Sequence, residues 1–455
     1  MKSRIALLLI ISGLWTFLFI FQNYMSTCWA IVFLLSFMIA YSLYMQIAYK
    51  HQKRKLRKNP IVYNKDFAPF VSIMIPAHNE GAVIAETVEN ILAIDYENFE
   101  IIIIDDRSTD NTATVIKSLE EKYDKVVGLI RNENDFPGKS AVLNDATKIA
   151  KGDFFLIFDA DARINPDFLK QLLPYMETDD VGAVQARKCI SNRDENFLTR
   201  CQDNEYAIDT HFQMGRDAVR GAVELRGNGQ LIRRTAVADI DGWNNNTITD
   251  DLDMSTRMHI KGWDVRFVPS VCVYEEGITS FVPLLRQRRR WIEGSIRRYL
   301  EHFAAVITSK DMSIRVTFDM TAYISEFILP VWMMSELVFQ AFNYYKKYDN
   351  TLSSSLIVLA CIGIFFFLGS VYSLKKYNKL SAKNCIIQSI ETDVYFVTIW
   401  FPLVVYIIPK IIFFKKSLAW GKTQHGVSKT TIHPAEISED KTSHTEETEK
   451  ELISV

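Results

Sequence analysis

A polar block, roughly residues 60–310, stands between strongly apolar segments, and this layout constrains the fold more than any other feature. Ile5–Ile20 and Trp29–Ala48 are almost purely apolar, as are Leu356–Leu374 and Val394–Phe414, and a less pure run covers Thr317–Phe342. Spanning a bilayer takes about 20 apolar residues, a length most of these runs reach. The first run shows no clear small-residue cleavage site and is followed at once by the second. Residues 1–50 therefore read as an uncleaved transmembrane hairpin rather than a signal peptide. Lys50, Lys53, Arg54, Lys55, Arg57 and Lys58 close the second run, so the positive-inside rule puts this end and the polar block in the cytoplasm. Further membrane segments are expected over residues 313–416. An odd number of spans would leave the C-terminus outside, against Lys415, Lys416 and Lys422. Either Thr317–Phe342 lies partly in the interface, or residues 385–414 form a hairpin broken at Pro402 or Pro409. A cytoplasmic, disordered tail rich in Glu, Lys, Thr and Ser is expected over 417–455.

Inside the block, Val71–Pro76, Glu100–Ile104, Val126–Ile130 and Phe154–Phe158 read as strands. Helical patterns at Val83–Ile94, Thr112–Tyr123 and Ser140–Ala150 alternate with them. That order predicts an α/β domain over residues 60–280, with a parallel sheet and crossover helices. After Ile164 the alternation loosens into a helix over 195–220 and a strand at Gln230–Arg233. Apolar residues at three-to-four spacing from Phe281 to Phe303, with arginines between them, predict a basic amphipathic helix on the membrane surface over 281–312. Arg297 and Arg298 fit arginines that snorkel towards headgroups. The net charge of −2 argues for no particular partner, and no nucleic-acid signature stands out. The six cysteines show neither CxxC nor metal-ligand spacing and read as reduced, packed residues.

Four polar clusters carry the chemistry. Asp105-Asp106 and Asp159-Ala160-Asp161 each end an apolar strand, where an open α/β sheet places its ligand. A carboxylate of the first pair can accept the N–H of a uracil ring, although Asp110 with Asn111 could equally start a helix there. The second pair suits Mg²⁺ or Mn²⁺, which take one or two carboxylates and fill the remainder with diphosphate oxygens and water. In an extended segment both carboxylates would face one side. Thr249-Asp250-Asp251 offers Asp251 as general base for a sugar hydroxyl, with like charge from Asp250 raising its pKa. Gln287, Arg290 and Trp291 fall at i, i+3 and i+4 on one helix face. The arginine can bind a diphosphate in a forked pair, and the indole offers a flat surface for a sugar ring.

With these residues the chain resembles the membrane-embedded family 2 glycosyltransferases, the group of cellulose, hyaluronan and poly-N-acetylglucosamine synthases. The likeness runs from about Ser72 to Trp291. It rests on four motifs in the family's order, DD, DxD, TED and Q(Q/R)xRW, the third reading Thr249-Asp250-Asp251 here, with Asp for Glu. The resemblance implies an α/β GT-A domain inserted between transmembrane helices at the cell membrane, and inverting, metal-dependent transfer from a UDP-sugar. It places Asp105, Asp106, Lys139, Asp159 and Arg290 on the donor, and Asp159 and Asp161 on the metal. Asp250 and Asp251 would be catalytic. Gly227, Asn228, Gly229, Gln287 and Trp291 would serve the acceptor. Trp420-Gly421-Lys422-Thr423 resembles a tail motif that covers the site in some members.

Two acceptors fit these residues. A growing β-linked polysaccharide, exported through the protein's own spans with or without an accessory membrane subunit, leads. A lipid such as diacylglycerol is the alternative: Glu275–Ser280, Trp291–Gly294 and Lys422–Gly426 resemble bacterial β-glucosyldiacylglycerol synthases. An inactive scaffold or transporter is the third reading, against which no motif residue is missing.

Overall fold

The structure, a computed structural model, describes residues 27–324 and 352–415 with isolated positions beside them. The run Ile5–Ile20, most of Thr317–Phe342, Trp420–Thr423 and the tail lie outside the described residues. The chain enters through helix α1 (Thr27–Lys58) and then builds an eight-stranded sheet in the order β3-β2-β1-β4-β7-β6-β8-β5.

The first half of the sheet follows the sequence expectation. Strands β1 (Val71–Ala77), β2 (Phe99–Asp105), β3 (Val126–Ile130) and β4 (Phe154–Ile157) pair in parallel. Crossovers run through α2 (Ile84–Leu92), α3 (Thr112–Lys122) and α4 (Lys139–Ile149). Every residue of β1, β2 and β4 is buried, which is why these strands read as unbroken apolar runs. The second half departs from an all-parallel sheet. After the short β5 (Arg163–Ile164) and α5 (Phe168–Leu172), β6 (Val181–Ile190) runs antiparallel to β7 (Gln230–Arg233), which is itself antiparallel to β4. The last strand, β8 (Asp264–Glu275), is parallel to β6 and antiparallel to β5. The turn Gly227-Asn228-Gly229 reverses the chain at this point, with positive φ at both glycines. A Cβ on Gly229 would lie 2.6 Å from Val273 Cγ1, so only glycine fits there. Cys189 on β6 and Cys272 on β8 stand side by side with Cα atoms 6.0 Å apart. The sheet brings these two cysteines together across 83 residues, a neighbourhood their spacing in the sequence does not announce.

Helix α6 (Phe197–Ala218) joins the sheet to the apolar helices. Asn196 caps it, accepting from the Leu198 N–H at 2.8 Å and the Thr199 N–H at 3.1 Å, while Thr199 returns a bond to the Asn196 N–H. It packs against α1, α11 (Leu352–Tyr377) and α12 (Ala382–Tyr395). Polar bonds cross this seam: Asn204 to Thr392 at 3.1 Å, Arg200 to Glu391 at 3.0 Å, and Arg187 to the Tyr377 carbonyl at 3.0 Å. Helix α12 continues through a π turn (Phe396–Trp400) into α13 (Phe401–Phe413). Of the two alternatives, the broken hairpin over 385–414 is not found: the segment is one continuous helix, with a π turn just before Pro402, where a proline leaves a carbonyl without its donor. Among the described residues, Ala382–Phe413 is the one helix long and apolar enough to cross a membrane by length and composition.

Helices α7 (Arg234–Asp239) and α8 (Asp250–Ile260) precede β8, and α9 (Phe281–Thr308) and α10 (Ile314–Tyr323) follow it. On α9, Ile292 and Ile296 pack with Val404, Ile407 and Ile411 of α13. Arg297 and Arg298 do not snorkel. Both are buried, paired with Glu293 at 2.9 Å and Glu224 at 2.8 Å, because carboxylates on the same helix and on the segment before β7 face them.

Asp319 of α10 ties α1 and α10 to the domain. It is 3 % exposed and accepts from Arg216 at 2.9 Å, from the Ala222 N–H at 2.7 Å and from the Tyr41 hydroxyl. Asp319→Ala would leave Arg216 buried beside one carboxylate fewer. It is expected to cost about 3–5 kcal/mol, seen as a clear fall in thermal midpoint in detergent, with Asp319→Asn milder.

Candidate functional site

Lys139, at the start of α4, is the centre of the site. Its ammonium lies 2.6 Å from Asp159 Oδ1 and 3.1 Å from the Gly227 carbonyl oxygen. Burial works against its charge, yet Asp159 and Asp250 hold its pKa above the usual lysine value. The segment Asp159-Ala160-Asp161 is a turn rather than the expected extended stretch, closed by the Ala162 N–H donating to the Asp159 carbonyl at 3.1 Å. The two carboxylates take different partners as a result. Asp159 meets Lys139, and Asp161 Oδ2 accepts from the Glu276 N–H at 2.9 Å.

Asp250 and Asp251 open α8, where a helix N-terminus favours negative charge. Asp251 Oδ1 accepts the Leu252 N–H at 2.8 Å. A Cβ on Gly227 would come 3.1 Å from Asp251 Oδ2, so the missing side chain keeps that oxygen accessible. Burial first and Asp250 second push the Asp251 pKa up to about 6, against the Leu252 N–H, Lys139 and Arg226. Asp253 has a different role: a hydrogen bond with His302 at 2.8 Å and an ion pair with Arg257 at 2.6 Å hold it within the helix packing.

Helix α9 lies close to this turn because Gly294 is bare. A Cβ there would sit 2.4 Å from Thr249 Cγ2. One turn earlier on α9, Arg290 faces Asp250, Asp251 and Asp159, whose attraction opposes the lowering of its pKa by burial. Trp291 has the Arg288 guanidinium 4.2 Å and the Lys188 ammonium 5.5 Å from its ring centroid. Gln287 Oε1 accepts from Arg288 at 2.5 Å. Arg288 itself is fully buried, bonded to Glu205 at 2.8 Å and to the Tyr395 hydroxyl at 3.1 Å.

One cavity of about 860 Å³ collects Lys139, Asp159, Asp161, Gly227, Asp250, Asp251, Gln287, Arg290 and Trp291 on its wall. Four expected residues are not on that wall. Asp105 is buried against Ser108, and Asp106 is buried among Arg131 at 2.8 Å, Arg107 at 3.0 Å and the Gly138 N–H at 3.0 Å. Their carboxylates brace the loops at the strand ends. Asp110 takes the helix-starting role, accepting from the Thr112 N–H at 3.0 Å. Asn228, fully buried, accepts the Asp159 N–H at 3.2 Å and donates to Glu275 at 3.3 Å, so it supports the acidic turn from behind, next to Gly229. Sequence reasoning missed Arg131, Lys188, Glu205 and Arg226. Arg131 alone carried a signal, standing at the end of β3 as Asp105 stands at the end of β2.

No group of three or more His, Cys, Asp or Glu side chains forms a metal cage among the described residues. Asp159 and Asp161 alone supply one or two carboxylate oxygens. That donor set fits a hard divalent ion completed by diphosphate and water rather than an ion caged by protein alone.

The model of the glycosyltransferase like family 2 matches residues 68–294. A β-monoglucosyldiacylglycerol synthase of Nostoc sp. is 35% identical over 360 residues, covering 78% of this chain and 76% of that protein. The Synechocystis sp. protein of the same name is 32% identical over 363 residues, covering 79% and 76%. A poly-β-1,6-N-acetyl-D-glucosamine synthase of Staphylococcus epidermidis is 26% identical over 366 residues, covering 78% and 87%. The structure of a Pyrobaculum calidifontis mannosyltransferase, in complex with GDP-Man and Mn²⁺, superposes with a TM-score of 0.52 at 18% identity over 81% of this chain and 98% of that one, a likeness of fold. The α/β domain is GT-A-like with a mixed sheet, and the chain belongs to glycosyltransferase family 2 as an enzyme of that family.

Proposed function

We propose that the protein transfers a glucosyl residue from UDP-glucose to the hydroxyl of a diacylglycerol, with inversion, at a membrane its apolar helices enter. The observation that carries this reading is the extent of the likeness to β-monoglucosyldiacylglycerol synthases. Identity of 35% runs over 360 residues, well beyond the 68–294 stretch that holds the family's motifs. The lipid alternative therefore moves ahead of the polysaccharide reading that leads on motifs alone.

The residues have an order of work. Asp251 Oδ2 takes the proton of the acceptor hydroxyl as that oxygen attacks the anomeric carbon. The bond from that carbon to the diphosphate breaks, its electron pair leaves with UDP, and an α-linked donor gives a β-glycoside. Lys139 and Arg290 are the cations placed to offset charge on the departing diphosphate. A divalent ion held by Asp159 and Asp161 would supply Lewis-acid charge to the same oxygens. Trp291 gives the sugar a flat apolar surface. The catalytic domain lies on the cytoplasmic side, next to the basic end of α1.

A second reading keeps its own support. The S. epidermidis polysaccharide synthase matches over 366 residues, 87% of its length. Purified protein in vesicles with Mg²⁺, offered labelled UDP-glucose and UDP-N-acetylglucosamine separately, decides between them. Label in the organic phase, dependent on added diacylglycerol, is the expected result. Label in high-mass, glycosidase-sensitive material would replace the lipid acceptor with a polysaccharide.

Asp251→Asn is expected to keep its fold and UDP affinity and to lose about 10²–10⁴-fold in transfer. Near-normal turnover in that variant would remove Asp251 from the base role. Because the carboxylate must be ionised to accept a proton, kcat/KM should fall about tenfold per unit as pH drops below about 6 and level off above it. Asp161→Ala should abolish the gain in UDP affinity that Mg²⁺ or Mn²⁺ gives, measured by titration calorimetry. Undiminished metal-dependent binding would contradict the metal role.

A further inference from the structure

The cavity does not end at the catalytic carboxylates. It continues between α1, α6 and α11, and there its wall turns apolar. Phe37, Tyr41, Met45 and Tyr49 of α1 line it at four-residue steps, one helix face over about 18 Å at ~1.5 Å per residue. On α11 the residues at four, three and four steps, Ile362, Phe366, Gly369 and Ser373, form the facing stripe. Two hydroxyls on this wall are turned to neighbours, Ser370 to Asp393 at 3.2 Å and Ser373 to the Gly369 carbonyl at 2.8 Å, and the Lys376 ammonium sits 3.9 Å from the Tyr49 ring centroid.

Gly369 stands in the middle of the α11 stripe. A Cβ built on it meets no described atom within 4 Å, and Gly363, also on the wall, is the same. Glycine weakens a helix interior, and helices accept that cost where a neighbouring backbone must come close. Here no described neighbour comes close. What the two glycines provide is width.

We propose that this apolar branch is the binding site for an acyl chain of the acceptor lipid, and that Gly369 keeps it wide enough. The inference rests on the lipid-acceptor reading above and deepens it. The cavity is acidic and basic at one end and apolar at the other, the polarity of an amphiphile whose hydroxyl must reach Asp251.

The test fills the branch. Full-length wild type, Gly369→Ala and Gly369→Phe in mixed micelles are given UDP-glucose with dihexanoylglycerol or dioleoylglycerol. Gly369→Phe is expected to lose about tenfold or more of kcat/KM on the long-chain acceptor while staying within about twofold on the short one. Gly369→Ala should keep both activities. Equal loss on both acceptors with UDP affinity intact, or no loss on either, overturns the acyl site and leaves the lipid acceptor standing. If Gly369→Phe also loses UDP affinity, Gly363→Phe, read by the same criteria, decides. If wild type glucosylates neither acceptor, the lipid-acceptor reading falls and the acyl site with it.

Discussion

The ion pair between Lys139 and Asp159 is the contact on which the rest of the site depends. Asp159, Asp250 and Asp251 converge on a poorly solvated cavity, and such a group of carboxylates repels itself unless a cation stands among them. Lys139 is that cation. It reaches across from α4 to the turn after β4 and to the Gly227 carbonyl, so a single side chain fixes three segments. Arg290 approaches from α9 towards the same three carboxylates. On the function proposed here, a diphosphate entering between these two cations would meet charge already in place, which avoids reorganisation when the bond breaks.

The parallel half of the sheet was legible because β1, β2 and β4 are buried on both faces and show it as continuous apolar runs. Motif order was legible too, and Asp159, Asp161, Asp250, Asp251, Arg290 and Trp291 do reach one cavity. The antiparallel half was not. Strand β7 follows helix α6 and the turn at Gly227–Gly229, whose positive φ angles say that the chain turns but not which strand it returns beside. Asp106 shows a further limit. Its position at a strand end was readable, but its three donors come from residues 107, 131 and 138, and only folding brings them together.

Arginine behaved least as composition suggested. A row of arginines on an amphipathic helix looks like a headgroup-binding face, yet Arg288, Arg297 and Arg298 are buried with carboxylate partners. Breaking such pairs is costly, whereas forming them adds little net stability, so their effect is to fix one arrangement of helices. Together with the polar seam of α6 they hold the catalytic domain to α11, α12 and α13 in a single register.

Arg288 gives that register a particular meaning. It lies inside the Gln287–Trp291 motif, yet its partners are Glu205 on α6 and Tyr395 at the end of α12, just before the helix passes into its π turn. Tyr395 also bonds Glu205 at 3.0 Å, which closes a triangle. The motif helix is therefore aligned by a three-point joint, and one point belongs to the helix long enough to cross a bilayer. Any change in the tilt of that helix would be passed through the joint to Arg290 and Trp291. Whatever orients that helix therefore also orients the Gln287–Trp291 motif.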